Sequence, residues 1–144
     1  MKINEVVQPV KIMTGEKLYW EYYGWPHTNK FNPNLFDRIK YLHPNEMMRE
    51  IHFVILDNRR IVADGALQQS PYDDKELWIK HISVDEDYRN RGYARAIMDS
   101  IYKYAVKKKQ YLTHSSFSDM GERHLPNMIS QLNAKYPTAV NPNK

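Results

Sequence analysis

The chain has 144 residues, a formal net charge of +4 and no cysteine. This length predicts a single domain over residues 1–144, and the lack of cysteine excludes disulfides, thiolate nucleophiles and Cys-based zinc sites. The positive charge favours an anionic partner, such as a phosphate-bearing cofactor or a nucleic acid. The N-terminus has no apolar signal core, and no run of roughly 18 apolar residues exists. We therefore expect a cytoplasmic protein without a membrane segment, and we expect no metal ion.

The first half of the chain predicts strands more clearly than helices. Residues 6–13 form a candidate first strand, and Thr14 is a candidate cap for a short helix that runs to Tyr23. Two runs rich in β-formers, 51–56 and 61–67, are separated by polar turn residues. They predict an antiparallel hairpin.

The second half alternates strand and helix. Residues 77–84 form a third strong strand, and residues 93–109 place apolar side chains at helical spacing. A further strand over 111–117 and a last helix over 121–136 complete the pattern. The order predicts a mixed α/β (α+β) architecture with a central, mixed, mostly antiparallel sheet flanked by helices.

The turn between the third strand and the long helix suits a phosphate group. The first turn of a helix has unpaired backbone N–H groups and a partial positive charge. Gly92 lets a ligand approach the backbone without a Cβ in the way, and Arg89 and Arg91 offer charge-assisted hydrogen bonds. The turn is therefore predicted to bind an anion.

This turn carries a family resemblance. Arg89-x-x-Gly92-x-Ala94 resembles the Gln/Arg-x-x-Gly-x-Gly/Ala pattern of the GNAT superfamily of N-acetyltransferases, and the similarity extends over residues 51–106. The resemblance implies an N-acetyltransferase that uses acetyl-CoA and an amine acceptor on a small molecule, a protein or an RNA. It implies that the strand over 78–84 splays from the strand over 111–117 to admit the cofactor.

The resemblance also implies which residues bind acetyl-CoA. The backbone of the strand end would pair with the pantetheine arm as an added strand, and the loop would bind the pyrophosphate. The strand-end residues are Ile82, Ser83 and Val84, and the loop residues are Arg89, Asn90, Arg91, Gly92, Tyr93 and Ala94.

The chain departs from the family pattern after its last helix. Family members usually continue with two more strands, whereas only residues 138–144 follow Pro137, so we expect a shortened C-terminus. The acceptor site would then be open, completed by the first fifty residues, or completed by a second subunit in a homodimer. The aromatic stretch 18–25 is the candidate acceptor wall, although its side chains equally suit a purely structural role.

The general base is not marked by a familiar pattern. Direct acetyl transfer needs a neutral amine, so family members often carry a Glu or His on the strand before the loop. Strict alternation along that strand makes Glu76 share a face with Trp78 and Lys80, towards the acceptor. The same count puts His81 on the opposite face, where we expect it to pack beneath a helix. Glu76 is therefore a candidate base, and a solvated surface glutamate is the alternative.

Two further candidates lie on the neighbouring strand. His114 and Ser116 fall near the expected gap, where a polar side chain could bind the thiolate or orient a water molecule. The alternative is that both are ordinary strand residues. The Tyr that often serves as general acid in the family is missing after this strand, so the acid is unassigned.

Two other functions fit the same sequence. The missing acid and base are consistent with a protein that binds acyl-CoA without catalysis. Alternatively, Lys103, Lys107, Lys108 and Lys109, with the loop arginines, could contact nucleic-acid phosphates.

Overall fold

A computed structural model describes residues 9–23, 49–114 and 125–142 of the chain. Its strands are β1 Val10–Thr14, β2 Glu50–Asp57, β3 Arg60–Gln69, β4 Glu76–Val84 and β5 Tyr111–His114. Its helices are α1 Gly15–Leu18, which continues as a π-helical turn over Tyr19–Tyr23, α2 Tyr93–Lys108 and α3 Leu125–Lys135. Short 3-10 turns cover Glu86–Tyr88 and Pro137–Ala139.

The five strands form one sheet in the order β1-β2-β3-β4-β5. Neighbouring strands are antiparallel except β4 and β5, which are parallel because α2 forms the crossover between them. The predicted fold class, a mixed and mostly antiparallel sheet with flanking helices, is confirmed.

The predicted hairpin forms around a two-residue turn. Asp57 pairs with Arg60, and the two residues between them, Asn58 and Arg59, both have positive φ angles of 52° and 67°. This is the turn type whose twist matches antiparallel strands. It sets the register of the first two pairs of β2 and β3, and a β-bulge at Val62 shifts the register by one residue from Ile55 onward.

The main core lies between one face of the sheet and α2. Its fully buried side chains include Phe53, Leu67 and Ile79 from the sheet and Ile97 and Ile101 from the helix. At Gly65 the helix comes so close that an added Cβ would lie 2.6 Å from Cγ2 of Ile97. This face of the sheet is therefore apolar and tightly packed.

A β-bulge in β4 changes which side chains share a face. Leu67 of β3 pairs with Ile79, but its neighbour Ala66 pairs with His81, so Lys80 is an extra residue in β4. A bulge reverses the alternation of side chains beyond it. Ile79 still faces α2, and His81 faces the opposite side.

The predicted placement of His81 is therefore wrong. Gly65 faces α2, so its neighbour Asp64 faces away from α2, and His81 hydrogen-bonds to Asp64. His81 consequently shares the face of Trp78 rather than packing beneath α2. The count along the strand failed because it assumed a regular β4.

The remaining boundaries agree with the sequence where the structure describes them. Thr14 caps α1, since its hydroxyl accepts a hydrogen bond from Lys17 N at 3.1 Å. Residues 115–117 of the predicted fifth strand and 121–124 of the predicted last helix lie outside the described part. None of the helices in the described ranges is long and apolar enough to cross a membrane.

Candidate functional site

The backbone conformation of the loop between β4 and α2 is fixed at both of its ends. At its start, buried Asp85 accepts a hydrogen bond from Asp87 N at 3.0 Å, which closes the 3-10 turn. At its end, Gly92 precedes α2 in the left-handed conformation, with φ 81° and ψ 11°. A side chain is strained in that conformation, so a glycine is favoured there.

The start of α2 leaves backbone donors available. Gly92 provides no side-chain cap, and the first helical hydrogen bond inside this turn runs from Ala96 N to Gly92 O at 3.0 Å. The N–H groups of Tyr93, Ala94 and Arg95 therefore have no partner within the helix. Such a helix start attracts anions through its donors and its dipole.

Aromatic and charged side chains stiffen this loop. The Tyr88 hydroxyl donates to Asp57 Oδ2 at 2.7 Å, and this hydrogen bond to a carboxylate raises the pKa of Tyr88. The Tyr88 ring stacks on Tyr93 at 6.0 Å and lies beneath the Arg91 guanidinium at 4.8 Å. Arg91 is thus held beside the helix start.

Arg89 brings a second cation to the loop. Its Nε is buried and has no hydrogen-bond partner in the part of the chain that the structure describes. A buried donor without a partner is unfavourable unless a ligand or water satisfies it. The predicted loop residues 89–94 therefore bring together two guanidinium groups and the backbone N–H donors at the start of α2.

The edge of β4 that faces β5 is paired over only part of its length. The ladder runs from Glu76 opposite Tyr111 to Ile79 opposite His114. Beyond it, Ile82 pairs with Gly65 of β3 on one side. On the β5 side, no described strand pairs with residues 80–84. This edge leads directly into the loop. The predicted splay stays a prediction, because residues 115–117 lie outside the described part.

A chain of four ionisable side chains crosses the sheet face opposite α2. His52 Nε2 donates to Glu50 Oε1 at 2.9 Å, and His52 Nδ1 donates to Asp64 Oδ1 at 2.8 Å. Asp64 Oδ2 accepts from His81 Nε2 at 2.8 Å. Glu50, His52, Asp64 and His81 are called the ionic array below.

The ionic array runs from the interior to the surface. The side chains of His52 and Asp64 are fully buried and Glu50 is 3% exposed, whereas His81 is 18% exposed. The other ring nitrogen of His81, Nδ1, has no partner among the described residues. The exposed end of the array therefore presents an imidazole edge held in place by a buried carboxylate.

The buried centre of the array is an ion pair. Burial alone would lower the pKa of His52, but the charge of Asp64 and the hydrogen bonds that His52 donates to both carboxylates raise it to about 9. Burial alone would raise the pKa of Asp64, but the charge of His52 and hydrogen bonds from both imidazoles lower it to about 2. At neutral pH, His52 is a cation between two carboxylates.

The array also contains atoms that ligate metals. Ligand atoms of His52, Asp64 and His81 lie within 4.8 Å of one another. Two imidazoles and one carboxylate are a donor set that suits several transition metals. Here these atoms already satisfy one another through hydrogen bonds. The expectation of no metal stays a prediction.

The three predicted catalytic residues have different outcomes. Glu76 shares a face with Trp78 as predicted, because Trp78 Nε1 donates to Glu76 Oε1 at 2.8 Å. His114 is the last described residue of β5, and its side chain is outside the described part. Ser116 lies outside the described residues altogether.

The sequence analysis missed His52 and Asp64. Each is a lone ionisable residue inside an apolar strand run, 51–56 and 61–67 respectively. A buried charge requires a partner, so two such interruptions in one hairpin were a usable signal. In the candidate acceptor wall, Leu18 is fully buried whereas Trp20 is 53% exposed, and residues 24–25 lie outside the described part.

Comparisons with known proteins agree with this geometry. Residues 13–124 match the model of the acetyltransferase (GNAT) family. No curated protein matches the sequence.

Two solved structures illustrate the structural similarity. An aminoglycoside acetyltransferase from an uncultured soil metagenomic sample, in complex with sisomicin, is 12% identical, with 84% of each chain covered and a TM-score of 0.56. A ribosomal-protein-alanine N-acetyltransferase from Brucella melitensis biovar Abortus 2308 is 14% identical, with 83% of this chain and 89% of that chain covered and a TM-score of 0.57. At these identities the likeness shows the fold.

Proposed function

Because the chain belongs to the acetyltransferase (GNAT) family, we propose that it is an N-acetyltransferase that uses acetyl-CoA and an amine acceptor. The observation that carries the proposal is the order of features along β4. This strand holds the exposed end of the ionic array at His81, then a partly unpaired edge, and then leads into the loop at 89–94.

The donor is proposed to bind along the end of β4 and the loop. The edge of Ile82–Val84, which no described strand pairs with on the β5 side, can hydrogen-bond to the amides of the pantetheine arm. The N–H groups at the start of α2 can bind the pyrophosphate, with Arg89 and Arg91 as charged support. Since the pantetheine arm would run from the loop back along Val84 to Ile82, the thioester at its end would lie near the bulge at Lys80.

His81 is proposed as the general base in place of Glu76. Most aliphatic amines are protonated at neutral pH and cannot attack a carbonyl until a proton leaves. Since Nε2 of His81 donates to Asp64, its Nδ1 carries the lone pair that can accept this proton. Asp64 fixes the tautomer and the ring orientation, so it is a positioning residue.

The proposed reaction forms one bond and breaks another. The neutral amine nitrogen attacks the carbonyl carbon of the thioester, and the tetrahedral intermediate collapses with cleavage of the C–S bond. Coenzyme A leaves as a thiolate and is protonated, which balances the proton that the amine gives up. His114 and Ser116 stay candidates for contacting the thiolate.

The donor site is tested by ligand-induced stabilisation. We expect millimolar acetyl-CoA to raise the melting temperature of the wild type, since a ligand that binds only the folded state stabilises it. Gly92→Val, which places a Cβ in the left-handed turn, should abolish the shift. Arg91→Glu should weaken the shift more than Lys107→Glu, which makes the same change of charge at the far end of α2. An unchanged melting temperature in the wild type would overturn the proposal.

The base is tested by turnover. His81→Gln should reduce kcat by about 10²–10⁴-fold while leaving the acetyl-CoA-induced melting shift intact. Glu76→Gln should reduce kcat much less than His81→Gln does. Binding of acetyl-CoA without transfer to any amine, protein or RNA acceptor would instead support a non-catalytic acyl-CoA-binding protein.

A further inference from the structure

An aromatic pair lies beside the proposed base. Tyr72 in the loop between β3 and β4 is 88% exposed, and its ring centroid lies 6.2 Å from that of Trp78. The hydrogen bond from Trp78 Nε1 to Glu76 Oε1 fixes the orientation of the indole ring. Two aromatic rings and a carboxylate therefore adjoin one another on the surface.

The loop that carries Tyr72 is held firmly. Ser70 Oγ accepts hydrogen bonds from the backbone N of Tyr72 at 3.1 Å and of Asp73 at 3.2 Å. Gln69 Nε2 donates to the carbonyls of Asp73 and Glu76, both at 3.0 Å. The backbone beneath the exposed ring is therefore ordered before any ligand binds, which reduces the entropy lost on binding.

A second contact links this loop to Gln110, which follows the C-terminal end of α2. The side chain of Gln110 donates to Gln69 Oε1 at 2.6 Å and to the carbonyl of Asp74 at 2.8 Å. The loop is thus anchored on the main body of the protein as well as on its own strands.

The register of the sheet gives the spacing from the base. Trp78 pairs with Gln68, and His81 pairs with Ala66, two residues along β3 on the same face. Two residues of a strand span about 7 Å. A group over Trp78 would therefore lie about 7 Å from an amine at His81.

The local charge favours a cation. Residues 73–76 contain three carboxylates against one ammonium group, which leaves a local charge of −2 in a chain whose formal charge is +4. Aromatic faces attract ammonium groups through their quadrupole, and a neighbouring carboxylate adds Coulomb attraction.

We propose that Tyr72, Trp78 and Glu76 form a cation-binding subsite that holds a second, non-reacting amine of the acceptor. The acceptor class is then a small molecule with at least two amino groups about 7 Å apart. This inference rests on the proposed N-acetyltransferase function and on His81 as the base. The subsite favours a polyamine acceptor over a peptide N-terminus or an RNA base, because neither of these needs a second ammonium group.

The first test compares two acceptors that differ only in the second amine. The kcat/KM of the wild type for 1,5-diaminopentane should exceed that for n-pentylamine by about tenfold or more. Trp78→Leu and Glu76→Gln should each remove most of this preference, while the KM for acetyl-CoA changes little. Trp78→Phe, which keeps a ring, should retain part of it. Glu16→Gln on α1 is the matched control, because it removes an exposed carboxylate elsewhere.

The second test measures binding without turnover. Calorimetry with the coenzyme A complex should detect 1,5-diaminopentane more strongly than n-pentylamine, and Trp78→Leu should abolish the difference. Equal binding of both amines by the wild type overturns the subsite. Acetylation of n-pentylamine without a preference for the diamine also overturns it and leaves the acetyltransferase proposal standing. Failure of acetyl-CoA to bind or react overturns the function itself.

Discussion

Gly65 and Asp64 are neighbours on β3, yet they face opposite layers of the protein. Gly65 lies against Ile97 and Ile101 of α2, in a layer made of aliphatic and aromatic side chains. Asp64 is as completely buried, but it lies between two imidazoles. One sheet therefore carries an apolar core on one face and a buried ion pair on the other.

The two faces are stabilised by different physics. Apolar burial is favourable in proportion to area and tolerates moderate changes of shape. A buried charge is costly unless its partner and all its hydrogen bonds are present. The α2 face therefore serves mainly to hold the fold together. The opposite face holds buried charges, although apolar side chains would cost less free energy there. Charges kept at such a cost suit a catalytic role.

The largest effect is expected on the charged face. Asp64→Asn removes the anion shared by His52 and His81, and breaking such a buried pair should lower the free energy of unfolding by about 3–5 kcal/mol. Turnover should fall as well, because His81 loses its orienting partner. Denaturant unfolding and steady-state kinetics measure the two effects.

Asp99→Asn is the matched control for that change. Asp99 contacts Lys135 and Lys103, but its side chain is 23% exposed, so its loss should cost less than about 1 kcal/mol. Equal losses of stability in the two variants would contradict the contrast between a buried and a solvated carboxylate.

The charged face should also make stability depend on pH. The pKa of His52 is about 9 in the folded protein against 6.5 for the free side chain. Its contribution, about 3 kcal/mol, is complete below pH 6.5 and is lost as the pH rises through 9. For Asp64, whose pKa is lowered to about 2 from 3.8, the contribution is present above pH 3.8 and lost as the pH falls through 2.

His52→Gln tests the alkaline part of this dependence. The melting temperature of the wild type should decline between pH 6.5 and 9, and the variant should show a much flatter profile over the same range. Parallel declines in the two proteins would show that His52 is not the titrating group.

A smaller effect is expected on the apolar face. In Gly65→Ala the new methyl group would lie 2.6 Å from Ile97 Cγ2, so the helix or the side chain must shift. Overpacking of this kind costs about 1–3 kcal/mol. Thermal unfolding should show the loss, whereas the alkaline decline due to His52 should persist. Loss of that decline in Gly65→Ala would mean that the two faces are not independent.

The smallest effect concerns the contact between α2 and α3. The Tyr102 hydroxyl donates to Asn133 Oδ1 at 2.7 Å, and burial raises the pKa of Tyr102 to about 12. Tyr102→Phe should cost about 1 kcal/mol, since it removes one hydrogen bond and leaves the ring in place. Chemical denaturation resolves a change of this size, and acetyl transfer should be unaffected.

Much of the architecture followed from the sequence because it depends on local patterns. Apolar spacing identified α2, the dense β-former runs identified β2 to β4, and Gly92 marked the start of the helix. The left-handed conformation of Gly92 and the free donors after it depend on a few consecutive residues. The loop was therefore predictable without knowing what packs around it.

The ionic array was not predictable in the same way. Twelve residues separate His52 from Asp64, and seventeen separate Asp64 from His81. Their meeting depends on the turn at Asn58, on the bulge at Val62 in β3 and on the bulge at Lys80 in β4. A shift of one residue in either strand would point these side chains to the other face.

The sequence by itself determined the order of strands and helices, the glycine turn that opens α2 and the resemblance to an acetyltransferase. These features arise from neighbours along the chain, where backbone sterics and side-chain periodicity act directly. Only the tertiary structure decided that His81 joins Asp64, His52 and Glu50 and shares a face with Trp78. That grouping is set by strand register and by one extra residue in each of β3 and β4, which are properties of paired strands rather than of any single segment.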